Sequence, residues 1–317
     1  MMSRLLEVRI ARRKEEAEGI ISLELVDPAG NGLPAFEAGA HIEVQVAPGL
    51  SRHYSLCGSP EDRQVYRLGV LREPVSRGGS ARIHEQFHEG LLIAISPPSN
   101  QFRLQEGAGH SLLVGGGIGI TPILAMAWRL HEIGASFEVH YCVRNRGRAA
   151  FLELLTQAPF ADKVRLHIDD DGQRLDIPGL LRGPETQRHV YVCGPAGFMD
   201  AVIGTAHRQG WPVANVHCEY FAAEVDVAGE GFTLHAERSG LTLQVPEGRS
   251  IAQVLLEAGV QVPLSCEQGV CGTCLTRVLE GIPDHRDLFL TEEEKASNNQ
   301  ILLCCSRASS AFLRLDI

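Results

Sequence analysis

Three cysteines lie within nine residues near the end of the 317-residue chain, and they constrain its fold more than any other feature. Cys266, Cys271 and Cys274 follow the spacing Cys-x4-Cys-x2-Cys, and Cys304 and Cys305 lie downstream. This spacing is typical of loops that hold a [2Fe-2S] cluster with four thiolates. Structural zinc also binds four thiolates, but zinc ribbons usually carry two Cys-x-x-Cys knuckles and this segment contains one. The pattern therefore favours iron and sulfur.

The charge balance and the apolar segments exclude two classes of partner. The chain carries 39 acidic and 29 basic residues, whereas nucleic-acid binding needs clustered Lys and Arg. Residues 1–16 lack the apolar core of a secretory signal, so we expect a cytoplasmic protein. The uncharged span Ser111–Trp128 is long enough for a membrane helix. Its glycines and Pro122 predict a strand, a tight turn and a helix start instead, and no membrane association.

The apolar pattern divides the chain into three segments. Residues 1–104 contain short runs bounded by Gly, Pro and Asp, which predict a β-barrel or β-sandwich. Residues 105–225 alternate apolar strands with helical periodicity, which predicts an α/β domain with a parallel sheet. A small acidic linker at 226–231 then leads to 232–317, where a hairpin, a helix and the cysteine loop follow one another.

Two pairs of motifs in the first two segments point to a flavin and a nicotinamide nucleotide. "RHYSLCG" contains Arg52, Tyr54 and Ser55, and "RGGS" places Gly78, Gly79 and Ser80 at a helix start, a natural phosphate site. "LLVGGGIGITP" runs from an apolar strand through a glycine turn that permits close approach of a pyrophosphate. It lacks the G-x-G-x-x-G spacing, and "YVCGPAGFM" follows as a second glycine-bearing turn. A flavin would link a two-electron hydride donor to a one-electron cluster.

These motifs together resemble the phthalate dioxygenase reductase family of oxygenase reductases. The family's "LEG", "DHRD" and "CxSRA" elements also occur here, at Leu279–Gly281, Asp284–Asp287 and Cys304–Ala308. The resemblance implies an FMN-binding antiparallel barrel, an NAD(H)-binding domain of the ferredoxin reductase kind and a β-grasp ferredoxin domain. It also implies a monomeric NADH-dependent reductase whose partner is a Rieske-type terminal oxygenase acting on an aromatic or similar organic substrate.

The resemblance assigns roles to individual residues. It implies that Arg52 binds the flavin phosphate, Tyr54 packs on the isoalloxazine, and Phe221 shields the flavin face. It selects Cys304 over Cys305 as the fourth ligand because Cys304 lies four residues before Ala308. The predicted catalytic set is Ser55, Thr121, Cys193 and Phe221. The metal ligands are Cys266, Cys271, Cys274 and Cys304. The cofactor-binding set is Arg52, His53, Tyr54, Ser55, Leu56, Val70, Leu71, Gly78, Gly79, Ser80, Gly115, Gly116, Gly117, Ile118, Gly119, Thr121, Pro122, Arg144, Asn145, Cys193, Gly194, Pro195, Met199 and Phe221.

Several alternatives stay open at the level of sequence. The "RGGS" form resembles FMN-binding rather than FAD-binding members, and the step from Arg144 and Asn145 to "AF" resembles members that use NADH. Arg144, Arg146 and Arg148 could nevertheless bind the 2′-phosphate of NADPH. A free-standing flavin or quinone reductase and a zinc-binding interaction protein are the competing functions. From residue 230 onward 12 acidic and 7 basic residues give an acidic surface that could steer a basic partner.

One motif is a decoy. "HEQFH", His84–His88, matches the His-Glu-x-x-His pattern of zinc proteases. A protease needs a third ligand and a longer helix, and Gly90 predicts an early end to this one. We therefore expect these histidines to be solvated or to serve in packing.

Overall fold

The computed structural model describes residues 5–73, 78–221, 226–264, 269–270 and 272–317. The chain divides into two compact units, Met1–Glu219 and Tyr220–Ile317. The first unit contains an antiparallel sheet within residues 6–100 and a parallel sheet within residues 110–219. The second contains a mixed sheet within residues 232–315. Each sheet lies inside one of the three segments that the apolar pattern predicts.

The antiparallel sheet forms because short β-branched runs alternate between a buried and a more exposed face. Val8 and Ile10, for example, are fully buried, and the residues on either side of them are more exposed. Its order is β4-β3-β6-β1-β2-β5, with β7 paired to β3. The strands are β1 (Leu6–Ala17), β2 (Ile20–Val26), β3 (Ala40–Ala47), β4 (Leu50–Ser55), β5 (Tyr66–Leu71), β6 (Leu92–Ile95) and β7 (Ser99–Asn100), and helix α1 (Gly79–Gln86) lies between β5 and β6 in sequence.

The parallel sheet has the order β10-β9-β8-β11-β12, so the strand order reverses between β8 and β11. In open α/β sheets ligands bind beyond the carboxyl ends of the strands at such a reversal. The strands are β8 (His110–Gly116), β9 (Phe137–Val143), β10 (Val164–Ile168), β11 (Arg188–Cys193) and β12 (Val216–Glu219). The helices are α2 (Ile120–Glu132), α3 (Leu152–Gln157), α4 (Ile177–Leu180) and α5 (Ala196–Arg208).

The uncharged span Ser111–Trp128 is a strand followed by a helix, as the sequence predicts. It contains β8, a 3₁₀ turn at Gly117–Gly119 and most of α2. In the part of the chain that the structure describes, no helix is both long enough and apolar enough to cross a bilayer.

A single hydrophobic core joins the two sheets of the first unit. Gly69 of β5 allows a close fit, because a Cβ there would lie 2.7 Å from Thr121 Cγ2 and 3.0 Å from the ring of Phe151. Phe151 holds a left-handed backbone with φ 60°, which costs a non-glycine residue about 1 kcal/mol. Its ring is 1% exposed, and burial of a phenylalanine side chain contributes about 2 kcal/mol. Packing between the sheets therefore offsets the strain.

The second unit is a mixed five-stranded sheet with the order β14-β13-β17-β15-β16. A hairpin and a helix precede the cysteine loop, as predicted. Both helices begin with a capping box, formed by Ser250 with Gln253 and by Thr291 with Glu294. The elements are β13 (Phe232–Ala236), β14 (Leu241–Val245), α6 (Ile251–Glu257), β15 (Leu275–Asp284), α7 (Glu292–Ser297), β16 (Gln300–Leu302) and β17 (Arg307–Leu315).

Two arginines from the "DHRD" and "CxSRA" elements hold the segment predicted as a linker. Arg286 donates from Nη1 to the carbonyls of Asp226 and Ala228, both at 2.7 Å. Arg307, only 1% exposed, donates to the carbonyls of Glu230 at 2.9 Å and Arg249 at 2.5 Å. Residues 226–231 are therefore fixed to the second unit by charge-assisted hydrogen bonds.

We expect Arg307→Met to lower the free energy of unfolding of the second unit by about 3 kcal/mol, because buried carbonyls lose their donors. The measurement is urea unfolding of the full chain, followed by circular dichroism. Arg314→Met is the matched control, since the Arg314 side chain is 42% exposed and its partner is the exposed Glu280. Equal midpoints for the two variants would contradict the role of Arg307.

Candidate functional site

The two glycine-bearing turns of the parallel sheet meet at its carboxyl edge. Cys193 pairs with Gly115 in the register of β11 and β8. A Cβ on Gly119 would overlap the carbonyl of Cys193, and a Cβ on Gly194 would lie 3.0 Å from the Cα of Gly116. Only glycine permits this approach of the two turns. The structure thus brings together two signatures that are 70 residues or more apart in the sequence.

Ser55, Cys193 and Glu219 converge beside these turns. Glu219 ends β12 and pairs with Cys193 across the sheet, so their side chains share one face. Ser55 ends β4 in the antiparallel sheet, and its hydroxyl donates to Glu219 Oε2 at 3.4 Å. The site is therefore formed where the two sheets of the first unit meet. Sequence reasoning predicted Ser55 and Cys193 but missed Glu219.

Burial sets the protonation of this cluster. It raises the pKa of the Glu219 carboxyl to about 8, with the hydroxyl of Ser55 opposing the shift. Burial also raises the pKa of the Cys193 thiol well above its ordinary value, and the nearby Glu219 adds to the shift. At neutral pH Cys193 is therefore a thiol rather than a thiolate, and Glu219 is protonated. The cluster is apolar and uncharged, which suits a neutral ring more than a nucleophilic reaction.

Arg52 lies against the start of α1, where the sequence predicts a phosphate site. A Cβ on Gly79 would lie 2.8 Å from Cγ and 2.9 Å from Nε of Arg52, so the guanidinium stem lies against the first residue of the helix. Gly78 before it has φ +92°, and Ser80 Oγ accepts a hydrogen bond from Glu73 N at 3.1 Å. A cation next to a helix N-terminus suits a phosphate monoester. Residues 74–77, which precede this site, are outside the described part of the chain.

Three other predicted cofactor-binding residues, Tyr54, His53 and Thr121, have defined surroundings. Burial raises the pKa of Tyr54, so its phenol stays protonated. His53 stacks on His41 with ring centroids 4.8 Å apart, and burial lowers the pKa of His41 to about 4, with His53 contributing. Thr121 donates from Oγ1 to Ile118 O at 2.9 Å, which leaves its methyl group against Gly69.

The predicted cofactor-binding residues differ in exposure. Several are buried in the core: Leu56, Val70, Thr121, Pro122 and Met199. Others are partly exposed: His53, Tyr54, Leu71, Gly117, Ile118, Asn145 and Gly194. Arg144, Pro195 and Phe221 are exposed, and Phe221 belongs to the second unit, at 37% exposure.

The ends of β9 and β10 place opposite charges side by side. Arg144 follows β9, and its carbonyl accepts a hydrogen bond from Asp170 N at 2.9 Å. Asn145 caps the next turn by accepting from Arg148 N at 3.1 Å. Asp169, Asp170 and Asp171 follow β10 and are exposed. The basic turn noted in the sequence therefore has an acidic turn beside it.

The cysteine loop is only partly described. Cys266 and Cys271 lie outside the described residues. Cys274 and Cys304 are 3% and 5% exposed, and Cys305 is 1% exposed. A Cβ on Gly269 would lie 2.6 Å from Cys305 Sγ, and that sulfur lies 3.7 Å from Ser306 Oγ. The buried sulfurs of Cys274 and Cys304 suit a thiolate-held cluster.

The "HEQFH" motif does not form a metal site. Helix α1 ends at Gln86, so His88 lies beyond it. His84 Nε2 is 3.0 Å from the carbonyl of Val70, and His88 Nδ1 is 3.1 Å from that of Glu89. The motif is therefore not carried by one continuous helix, as the zinc-protease pattern requires.

Comparison with known proteins covers the chain from end to end. Residues 234–309 match the family model described as a 2Fe-2S iron-sulfur cluster binding domain. A vanillate O-demethylase oxidoreductase of Pseudomonas sp. strain HR199 is 50% identical over 99% of this chain and all of its own length. Phthalate dioxygenase reductase of Burkholderia cepacia is 41% identical over 98% of this chain and 97% of its own. The chain belongs to the phthalate dioxygenase reductase family.

Solved structures agree with this membership. A phthalate dioxygenase reductase structure, described as modular for electron transfer from pyridine nucleotides to [2Fe-2S], superposes with a TM-score of 0.78 at 40% identity. It covers 99% of this chain and 98% of its own. A type IV self-sufficient cytochrome P450 monooxygenase gives a TM-score of 0.84 at 36% identity, and the match spans 99% of this chain and 41% of that one. The predicted fold, the oxidoreductase class and the flavin and [2Fe-2S] cofactors are thus confirmed for this member of the family.

We expect Glu219→Gln to remove a pH dependence of stability. Between pH 4.5 and about 8 the folded chain keeps a proton on Glu219 that the unfolded chain releases. The free energy of unfolding of the natural chain should therefore fall by about 3 kcal/mol as pH rises through this range, relative to the variant. Urea midpoints at pH 5, 6.5 and 8 measure it, with Glu37→Gln, at an exposed position, as control. Parallel pH profiles for the natural chain and Glu219→Gln would contradict the shift.

We expect Cys304→Ser to lose the iron-sulfur absorption, because a hydroxyl is a poor substitute for the fourth thiolate. Cys305→Ser should keep the absorption and the iron content, since its sulfur packs against Gly269. The two variants control for each other, as both positions are buried and adjacent. Loss of iron from Cys305→Ser alone would exchange the two assignments.

Proposed function

We propose that this chain is a cytoplasmic, monomeric NADH-dependent reductase with FMN and [2Fe-2S] cofactors, which supplies electrons to a Rieske-type terminal oxygenase acting on an aromatic or similar organic substrate. The observation that carries the proposal is the contact between Ser55 of the antiparallel sheet and Glu219 beside Cys193. It joins the predicted flavin segment to the predicted nicotinamide segment. Relatives named for vanillate and phthalate systems support the class of substrate.

The residues present fit the two cofactors. Arg52 and Gly79 would hold the flavin phosphate, and Cys274 and Cys304 would contribute two of the four thiolates, with Cys266 and Cys271 as the other predicted ligands. When bound, a flavin accepts a hydride and releases electrons singly, which matches a one-electron cluster to a two-electron donor.

The chain's own contribution to hydride transfer is positioning and exclusion of charge. The glycine turns at Gly119 and Gly194 let a nucleotide approach the backbone, and the N-terminus of α2 favours its pyrophosphate. The protonated Glu219 and the neutral Cys193 thiol leave the region beside the turns without a formal charge at neutral pH. Ser55 keeps the Glu219 carboxyl in place through its hydroxyl.

The charges at the ends of β9 and β10 support NADH. A carboxylate pairs well with a free ribose 2′-hydroxyl and repels a 2′-phosphate. Asp169–Asp171 provide such carboxylates beside Arg144, so the arginines alone do not define the local potential. A two-electron quinone reductase has no need of the second unit, and no observation favours a zinc-binding role.

We expect the purified chain to contain flavin and iron, and NADH to bleach both absorptions. kcat/KM should be at least tenfold higher for NADH than for NADPH, because the acidic turn opposes a 2′-phosphate. Stopped-flow absorption with each coenzyme measures both effects. Asp171→Asn should lower the ratio of kcat/KM for NADH to kcat/KM for NADPH. Asp62→Asn, at an exposed position of the antiparallel segment, is the control.

The partner is tested with the purified oxygenase component of a vanillate O-demethylase as electron acceptor. We expect reduction of its Rieske centre, with a rate that falls as salt screens the acidic second unit. A chain that contains zinc and no iron, or that reduces quinones and no Rieske centre, would overturn the proposal. If salt leaves the rate of Rieske-centre reduction unchanged, steering by the acidic second unit is excluded, and the rest of the proposal stands.

A further inference from the structure

Asp287 of the "DHRD" element is a buried carboxylate beside the cysteine loop. Its side chain has no solvent exposure, although Asp is rarely buried to this degree. It lies in residues 285–290, which we name the strap, between β15 and α7. The established fold and cofactors assign no role to this element.

The strap is fitted closely to the cysteine loop. Leu288 N donates to Gly269 O at 3.0 Å, and a Cβ on Gly269 would lie 3.1 Å from the Cα of Asp287. A Cβ on Gly272 would overlap the ring of Phe289. Gly269 and Gly272 both have φ above +70°, a backbone conformation that favours glycine. The close neighbours at each position also leave no room for a side chain. The strap therefore contacts the loop on both sides of the predicted ligand position 271.

Neutral donors hold the Asp287 carboxylate in place. Oδ2 accepts from Leu290 N at 2.8 Å and from Phe289 N at 3.2 Å, and Oδ1 accepts from Ser306 Oγ at 3.4 Å. These bonds fix the direction of the carboxylate and solvate its charge, but none supplies a full positive charge.

Arg286, the arginine that precedes Asp287 in the sequence, is directed elsewhere. Arg286 pairs with Asp284 Oδ2 at 2.5 Å and with the carbonyls of Asp226 and Ala228. His285 Nδ1 lies 3.7 Å from Asp287 Oδ1, beyond hydrogen-bond distance, and within the described ranges neither of its ring nitrogens has a hydrogen-bond partner. In the described part of the chain no lysine or arginine nitrogen lies within ion-pair distance of the Asp287 carboxylate, and the imidazole of His285 is the one ionisable group that does.

We propose that Asp287 is a positioning residue that lowers the midpoint potential of the [2Fe-2S] cluster. Reduction adds one electron to the cluster and forms no bond, so a fixed negative charge beside the loop opposes it. A low potential favours onward transfer of the electron to the oxygenase. The inference rests on the proposed electron path, because a potential matters only where an acceptor follows.

The test is the midpoint potential of the cluster in the full chain carrying Asp287→Asn. The amide keeps the size and one acceptor of the carboxylate and removes the charge. A unit charge at about 10 Å, acting through an effective dielectric constant of about 20, changes an equilibrium roughly tenfold. We therefore expect reduction to become about tenfold more favourable, which is an increase of about 59 mV for a one-electron couple. Redox titration followed by electron paramagnetic resonance measures it.

Two further variants distinguish the effect of a charge at position 287 from the effect of total charge and from loss of folding. Glu292→Gln makes the same change in charge at a side chain that is 89% exposed, and it should alter the equilibrium less than twofold. Ser306→Ala keeps the carboxylate but removes one of its donors, so the potential should fall.

The outcomes are distinct. An Asp287→Asn potential equal to that of Glu292→Gln, or below that of the natural chain, overturns the proposal. If Asp287→Asn binds no iron, the midpoint potential of Ser306→Ala is the test. A potential equal to or above that of the natural chain then overturns the proposal. Failure of the proposed electron path appears separately, as a natural chain whose cluster NADH does not reduce.

Discussion

The close contact between the turn at Gly119 and the end of β11 is the constraint on which the site depends. It places the carbonyl of Cys193 where any side chain at position 119 would lie. Because β8 and β11 are neighbouring parallel strands, this contact also fixes the crevice at the reversal of strand order. Glu219 then reaches Ser55 only because β12 pairs with β11 in register. A shift of one residue in that pairing would turn Glu219 to the opposite face.

Two carboxyl groups, one partly buried at Glu219 and one buried at Asp287, illustrate how the chain controls charge. In the described part of the chain the Glu219 carboxyl accepts one weak hydrogen bond, from the hydroxyl of Ser55, and desolvation raises its pKa to about 8. Asp287 accepts from two amides and one hydroxyl, which solvate a negative charge. The proposed nicotinamide region of the first unit therefore has a protonated carboxyl at neutral pH, whereas the carboxyl beside the cysteine loop has three hydrogen-bond donors in the described part of the chain.

The sequence predicted the sheets and the glycine turns because these depend on local pattern. The alternation in β1, the strand and turn before α2, and the capped helix α6 are all visible in short windows. Glu219 could not be found in this way, because a single carboxylate in "HCEYF" gains its role from the pairing of β12 with β11. The one signal available was an acidic residue at the end of the apolar run that closes the second segment. The left-handed Phe151 was equally invisible, since its strain is tolerated only against Gly69.

The elements "DHRD" and "CxSRA" could be recognised as motifs, but no physical reason for them is visible at the level of sequence. The structure supplies one for each charged position. Arg286 and Arg307 bind backbone carbonyls of residues 226–230, and Asp284 pairs with Arg286. Asp287 lies on the side of the cysteine loop, where the next residue, Leu288, donates from its backbone N to the carbonyl of Gly269. Thus a four-residue element has two tasks, one structural and one electrostatic, and substitutions of its two aspartates should have separable effects: Asp284 on stability and Asp287 on the redox equilibrium of the cluster.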